Sequence, residues 1–263
     1  MLTTIWRWRE FILSSVKKEF SARYKGSTLG AIWFIVQPLA MIIVYTVIFS
    51  EIMRAKLIGA ETDKLAYSIY LCSGVLTWAF FSELLNRTVN VFLENANLLK
   101  KLSFPRINLP VITALSSLLN FCMGWVLFML FLLIVHRPPT ITGLVLFGVV
   151  LVVQMLFSVG LGLGLGVLNV FFRDVGQFVN VVLQFWFWFT PIVYPLVIIP
   201  QEFHYLQNFN PMYHLMKAYQ DIFLYKAIPD FVGIFGVFVL SLLLIIWSLR
   251  LYRQHVGEMV DEL

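Results

Sequence analysis

Apolar residues dominate five stretches of the chain, at about 30–50, 109–135, 141–170, 175–199 and 231–249. Each supplies the roughly 20 apolar residues that a helix needs to cross a bilayer. A sixth stretch, at about 66–86, is more polar but still dominated by apolar and aromatic side chains, so the pattern predicts six transmembrane helices. Ahead of them the period changes. Trp8, Ile12, Val16, Phe20 and Tyr24 recur every four residues, while Arg7, Glu10, Ser14, Lys17, Ser21 and Lys25 fall on the opposite side. This predicts an amphipathic helix within residues 1–28 that lies in the membrane interface instead of spanning it.

Two connections are too long for turns. The first, at about 87–108, carries NLLKKLSFPRINLP, and the residue before a proline is disfavoured in a helix, so a short helix over Asn97–Leu102 is expected to end before Phe104-Pro105. The second, at about 195–230, contains Pro195, Pro200, Pro211 and Pro229 and is rich in aromatics with few charges. Such a segment would be poorly soluble as a loop, which predicts short proline-bounded helices re-entering the outer leaflet; an interfacial aromatic belt is the alternative.

Composition excludes a soluble protein. Of 263 residues 60% are apolar, 16% aromatic and 13% charged, and the mean hydropathy is +0.86, whereas a soluble domain is about half apolar and a quarter charged. The net charge of +5 is therefore read against the bilayer, not against nucleic acid. Thirteen of the nineteen Lys and Arg residues fall on the side of the N-terminus, which puts both termini in the cytoplasm, and no cleavable signal peptide is visible.

The spans are almost free of ionisable groups: Leu109–Val135, Ile141–Phe172, Val175–Gln201 and Phe231–Leu249 hold no Asp, Glu, Lys, Arg or His. An ion-coupled carrier binds its driving ion near the midplane with such groups, so secondary transport loses weight. The four histidines are scattered, Cys72 and Cys122 sit in apolar runs without a Cys/His cluster, and no lysine is followed by Ser or Thr as a phosphate-binding loop requires. No catalytic residue, metal site or cofactor is expected, and if ATP drives this protein another subunit binds it. Gly160, Gly162, Gly164 and Gly166 give two interleaved small-residue registers suited to close helix packing. The run Phe185-Trp186-Phe187-Trp188-Phe189 points all round a helix; sugar stacking in a channel and a lipid-interface belt explain it equally.

Several motifs, in order, resemble one family: Gly30-Ala31-Ile32-Trp33 and Gln37-Pro38-Leu39; Gly74, Trp78 and Phe81; Leu98-Leu99-Lys100-Lys101 running into Phe104-Pro105-Arg106 and Leu109-Pro110; Phe172-Arg173-Asp174; Pro191-Ile192, Tyr194-Pro195 and Asn210-Pro211. The chain resembles, over its whole length, the permease subunits of ABC exporters of lipid-linked polysaccharide, of the O-antigen type, with capsule and teichoic acid export relatives. The resemblance implies a bacterial inner-membrane homodimer of six-span subunits that forms one channel, with two copies of a separate ATPase and an undecaprenyl-diphosphate-linked polysaccharide as substrate. A permease for small lipophilic molecules and a membrane-embedded glycan or lipid transferase are the competing readings.

Residue roles follow as expectations. ATPase coupling falls to Asn97, Leu98, Leu99, Lys100, Lys101, Phe104, Arg173 and Asp174, with the leucines inserting into the ATPase. Diphosphate headgroups would be attracted by Arg7, Arg9, Lys17, Lys18, Arg23 and Lys25, which topology signalling explains as well. A closing aromatic constriction would use Phe185 to Phe189, Tyr194, Phe203, Tyr205, Phe209 and Tyr213. The whole of 1–263 is read as a single transmembrane permease domain, all-α, with an interfacial helix, six spans, a coupling helix and outer re-entrant helices.

Overall fold

The computed structural model describes residues 6–22, 33–48, 65–101 and 105–262, and every element among them is helical. In chain order they are α1 (Arg9–Ala22), α2 (Trp33–Tyr45), α3 (Ala66–Glu94), α4 (Ala96–Lys101), α5 (Asn108–Ile134), α6 (Ile141–Phe171), α7 (Asp174–Phe189), α8 (His204–Asn208), α9 (Pro211–Gln220), α10 (Phe231–His255) and α11 (Met259–Glu262). Four of them, α3, α5, α6 and α10, are long and apolar enough to cross a membrane, and the chain is an integral membrane protein.

The most polar of the expected spans is the centre of the bundle. Eighty-three per cent of the most apolar window of α3 is buried, against 28% to 33% for the other three. A helix surrounded by protein need not be apolar towards lipid, but its polar groups must be satisfied internally. Its hydroxyls bond back along the helix: Thr77 donates to the Ser73 carbonyl (2.7 Å), Ser73 to that of Tyr70 (2.9 Å) and Thr88 to that of Leu84 (2.7 Å). The helix also continues to Glu94, into the stretch expected as loop from residue 87.

The glycine ladder of α6 packs on both sides. A Cβ at Gly162 would lie 2.8 Å from Thr88 Cβ and one at Gly166 2.8 Å from the Thr88 carbonyl oxygen, both on α3, whereas at Gly160 and Gly164 it would meet Ile245 and Trp247 of α10. The helix-packing role expected from the spacing is therefore what these glycines do. Gly166→Val should lower stability by about 2–3 kcal/mol, because a backbone carbonyl cannot move aside. Gly148→Val, where nothing lies within 4 Å, should leave the melting temperature in detergent unchanged; equal melting of the two variants would refute the close approach.

The fifth expected span is shorter than its apolar run. α7 has 16 residues, about 24 Å of helix, and stops at Phe189 although the run reaches residue 199. Pro191 disfavours helix at Thr190, and the carbonyls freed by the break are taken by side chains of other elements. Tyr70 donates to the carbonyls of Pro191 (3.1 Å) and Tyr194 (2.9 Å), Tyr67 to that of Val193 (2.7 Å), and Gln207 to that of Phe189 (2.9 Å).

Beyond the break come two 3-10 turns (Leu196–Ile198 and Gln201–Phe203), α8, α9 and a π turn (Asp221–Tyr225). α9 is started by Asn210, whose side chain accepts from the Met212 amide ahead of Pro211. It is anchored deep in the bundle: the fully buried Tyr219 donates to Gln154 Oε1 of α6 at 2.6 Å, and Gln154 donates to the Thr77 carbonyl of α3 at 2.8 Å. Aromatic packing holds the π turn, with Trp125 stacked on Phe147 at 4.4 Å and edge-on to Phe223 at 5.0 Å, contacts worth about 0.5–1.5 kcal/mol each beyond their burial.

Candidate functional site

Successive residues of a helix are 100° apart, so α7 divides into three faces. Val179 and Leu183 are buried, and Trp186 packs edge-on against Phe81 (5.4 Å), Trp78 (6.3 Å) and Phe157 (6.3 Å). A second face carries Phe178, Val181, Phe185 and Phe189, all exposed. The third carries Asn180, Gln184, Phe187 and Trp188.

This third face confronts one side of α3, where Trp78, Ser82 and Asn86 recur every four residues, and between them lies a groove of about 610 Å³. Phe187 stands edge-on to Trp78 (5.7 Å) and to Trp188 (5.3 Å). The groove therefore combines neutral hydrogen-bonding groups with aromatic rings. Asn86 Oδ1 is sheltered from solvent and has no hydrogen-bond partner. At one end Asn169 of α6 donates to Asn90 Oδ1 (3.1 Å) and accepts from the Gly176 amide (2.9 Å), which fixes the start of α7 against α3. At the other, Trp186 Nε1 donates to Asn210 Oδ1 (2.8 Å) and Asn210 donates to Thr190 Oγ1 (3.0 Å).

The aromatic run is thus split. Phe187 and Trp188 border the groove, Trp186 is packed into the bundle, and Phe185 and Phe189 line a separate apolar hollow with Val182, Leu206 and Phe209. Phe209 is 83% exposed, Phe203 and Tyr205 are also exposed, and Tyr194 donates its hydroxyl to the Trp188 carbonyl. Tyr213, expected on an open path, is buried instead.

The charged residues inside α3 face away from the groove. Arg87 pairs with Glu19 of α1 and with Glu83 (3.6 Å) and donates to Ser117 of α5 (2.7 Å). Glu19 accepts from Ser116 (2.8 Å) and Glu83 from Asn120 (2.7 Å). Three charged and three polar side chains thus satisfy one another in one cluster that ties α1 to α3 and α5.

At the other expected sites, Arg7, just ahead of α1, and Arg9, Lys17 and Lys18 on it are exposed, while Ile12 and Val16 are buried against Ile112 of α5; Arg23 and Lys25 lie outside the described residues. On α4, Asn97 and Lys100 are exposed, but Leu99 is 5% exposed and packs with Val91, Phe92, Leu109 and Met259 instead of projecting outward. A six-residue helix backed by α3 and α11 has an inner side, and Leu99 takes it. The side chains of Leu98 and Lys101, and all of Phe104, are outside the described residues. Phe172, Arg173 and Asp174 are exposed at the same end of the bundle as α4. Arg106 donates to the Val256 carbonyl at the end of α10, a favourable position for a cation.

Sequence reasoning missed Ser82, Asn86, Asn180 and Gln184. Their spacing of four on otherwise apolar helices was the available signal.

Comparisons with known proteins agree with this architecture. The O-antigen export system permease protein RfbA of Myxococcus xanthus is 28% identical over 265 residues, covering 100% of this chain and 99% of its own. A protein of the same name from Klebsiella pneumoniae is 27% identical over 232 residues, 86% of this chain and 87% of its own. The polysialic acid transport protein KpsM of Escherichia coli is 22% identical over 243 residues, 92% of each chain. Residues 10–224, which span the four-helix bundle up to the start of its last member, match the ABC-2 type transporter description, and the chain belongs to that membrane family.

Proposed function

We propose that this chain is the channel-forming permease subunit of an ATP-driven exporter that moves undecaprenyl-diphosphate-linked polysaccharide of the O-antigen type across the bacterial inner membrane. The groove between α3 and α7 carries the reading: it offers amides and a hydroxyl for sugar hydroxyls and rings for sugar CH faces, without a charge that would hold the chain in place. A permease for small lipophilic molecules has no use for Ser82, Asn86, Asn180 and Gln184 in a row. Deleting the chain from its host should abolish surface glycan while lipid-linked glycan accumulates inside; surface glycan at the normal level would refute the proposal.

One copy supplies a groove that is open on one side, and a second copy related by a two-fold axis closes it, which also covers the apolar face of α7. Six spans per copy result when α2 and α7 cross with the four long helices, and both termini then lie in the cytoplasm. The bond from Tyr219 on α9 to Gln154, 13 residues into α6, supports re-entry of the outer segment, because that position is about 20 Å from the end of α6. The exposed aromatics Phe203, Tyr205 and Phe209 close the outer end when no glycan is present. Arg7, Arg9, Lys17 and Lys18 receive the diphosphate headgroup at the inner surface.

Two ATPase subunits dock at the end formed by α4 and by Phe172-Arg173-Asp174. Leu99 serves as the inner side of the lever, passing movement of α4 into α3 and α11, while Asn97 and Lys100 meet the ATPase. Lys100→Glu with Arg173→Glu should reduce co-purification of the ATPase at least about tenfold, as expected where charges steer and hold an interface. Leu99→Ala should instead keep the ATPase bound and uncouple its hydrolysis from export. Loss of ATPase binding in Leu99→Ala alone, with the charge variant unaffected, would reverse these assignments.

A further inference from the structure

Among the described residues the groove is polar but uncharged, and the charge pattern around it is directional. The only charged residues within the central turns of α3, Glu83 and Arg87, are turned to α1 and α5 and engaged there with Glu19, Ser117 and Asn120. The sole charged residue of α7, Asp174, stands at its first position. What remains along the groove is Ser82, Asn86, Asn180 and Gln184, with rings of Phe187 and Trp188.

We infer that the polysaccharide carried by this chain is neutral along its repeat, rich in hydroxyls and without carboxylate or phosphate groups. The inference rests on the groove being the glycan path. A hydroxyl both donates and accepts, so it can answer each side of the amides of Asn86, Asn180 and Gln184 that line the groove. Conduits for anions carry rings of Arg or Lys, since a charge leaving water must be met by an opposite one. A second copy of the chain adds the same neutral set. A repeat with one acid per unit would meet this barrier at every step, while a neutral repeat meets none.

The test uses inner-membrane vesicles containing the full chain with its partner ATPase. Two glycans of equal length on the same undecaprenyl diphosphate are offered, one neutral and one with a uronic acid in each repeat, together with the acidic glycan after reduction of its carboxyl groups to primary alcohols. The neutral and the reduced glycans should be transported at least about tenfold faster than the acidic one, as a barrier from an unpaired charge in a channel requires. Equal rates for all three would overturn the inference and leave the groove as the path. Failure of all three, with ATPase assembly intact, would overturn the glycan reading itself.

Discussion

Replacing Asn86 and Gln184 together by leucine is expected to slow glycan export by about 30-fold. Each neutral hydrogen bond is worth about 1 kcal/mol net, and losing two that the moving chain makes raises the barrier by about 2 kcal/mol. Neither side chain donates or accepts a hydrogen bond within the bundle that would unfold it on loss, since Asn86 Oδ1 has no partner and Gln184 is exposed. Membrane insertion and ATPase binding should therefore remain normal. Trp188→Ala should add to the loss through missing stacking. Phe178→Ala, on the exposed apolar face of α7, should export at the normal rate. The readout is surface glycan per inserted permease, and an unimpaired double variant would remove the groove from the path.

The second large effect concerns Arg87. Its pairing with Glu19 and Glu83 and its bond to Ser117 join the interfacial helix to the bundle. Arg87→Met leaves two carboxylates facing each other in a partly buried site, a loss of about 3 kcal/mol where one partner of such a cluster is removed. The melting temperature of the detergent-solubilised protein should fall by about 6–12 °C. Arg87→Lys should recover part of it, because an ammonium meets one carboxylate but cannot span to both Glu19 and Ser117 with a planar fork. A melting temperature within a degree of the parent for Arg87→Met would mean that α1 is held by Ile12 and Val16 alone. Glu19 had no visible partner in the sequence, since Arg87 and Ser116, which it meets in the fold, lie far along the chain.

The long helices were legible because lipid contact forces apolar length, and Asn108–Ile134 and Ile141–Phe171 fall within a residue of their apolar runs. α3 was the hardest to read for the opposite reason: buried by its neighbours, it keeps Ser68, Ser73, Thr77 and Thr88, which lower its hydropathy. The end of α7 was misread because apolar residues continue past Thr190, and only the tertiary acceptors of Tyr67, Tyr70 and Gln207 show that the chain has already left the helix. Which aromatics of the run border a groove depends on where α3 stands, and a run that covers the whole helix circumference holds no such information. The inward turn of Leu99 likewise needs α11, which the sequence does not place near it.

The path itself is tested most directly by photo-crosslinking amino acids placed one at a time at Asn86, Gln184, Phe178 and Phe185, in the full exporter during ATP-driven transport of radiolabelled lipid-linked glycan. Gln184 and Phe185 are adjacent in sequence and on different faces of one helix, so no difference in depth or expression separates them. If the α3–α7 groove conducts the glycan, labelled adducts form at positions 86 and 184 and depend on ATP, while positions 178 and 185 give none. Adducts at 178 and 185 without any at 86 and 184 would contradict it.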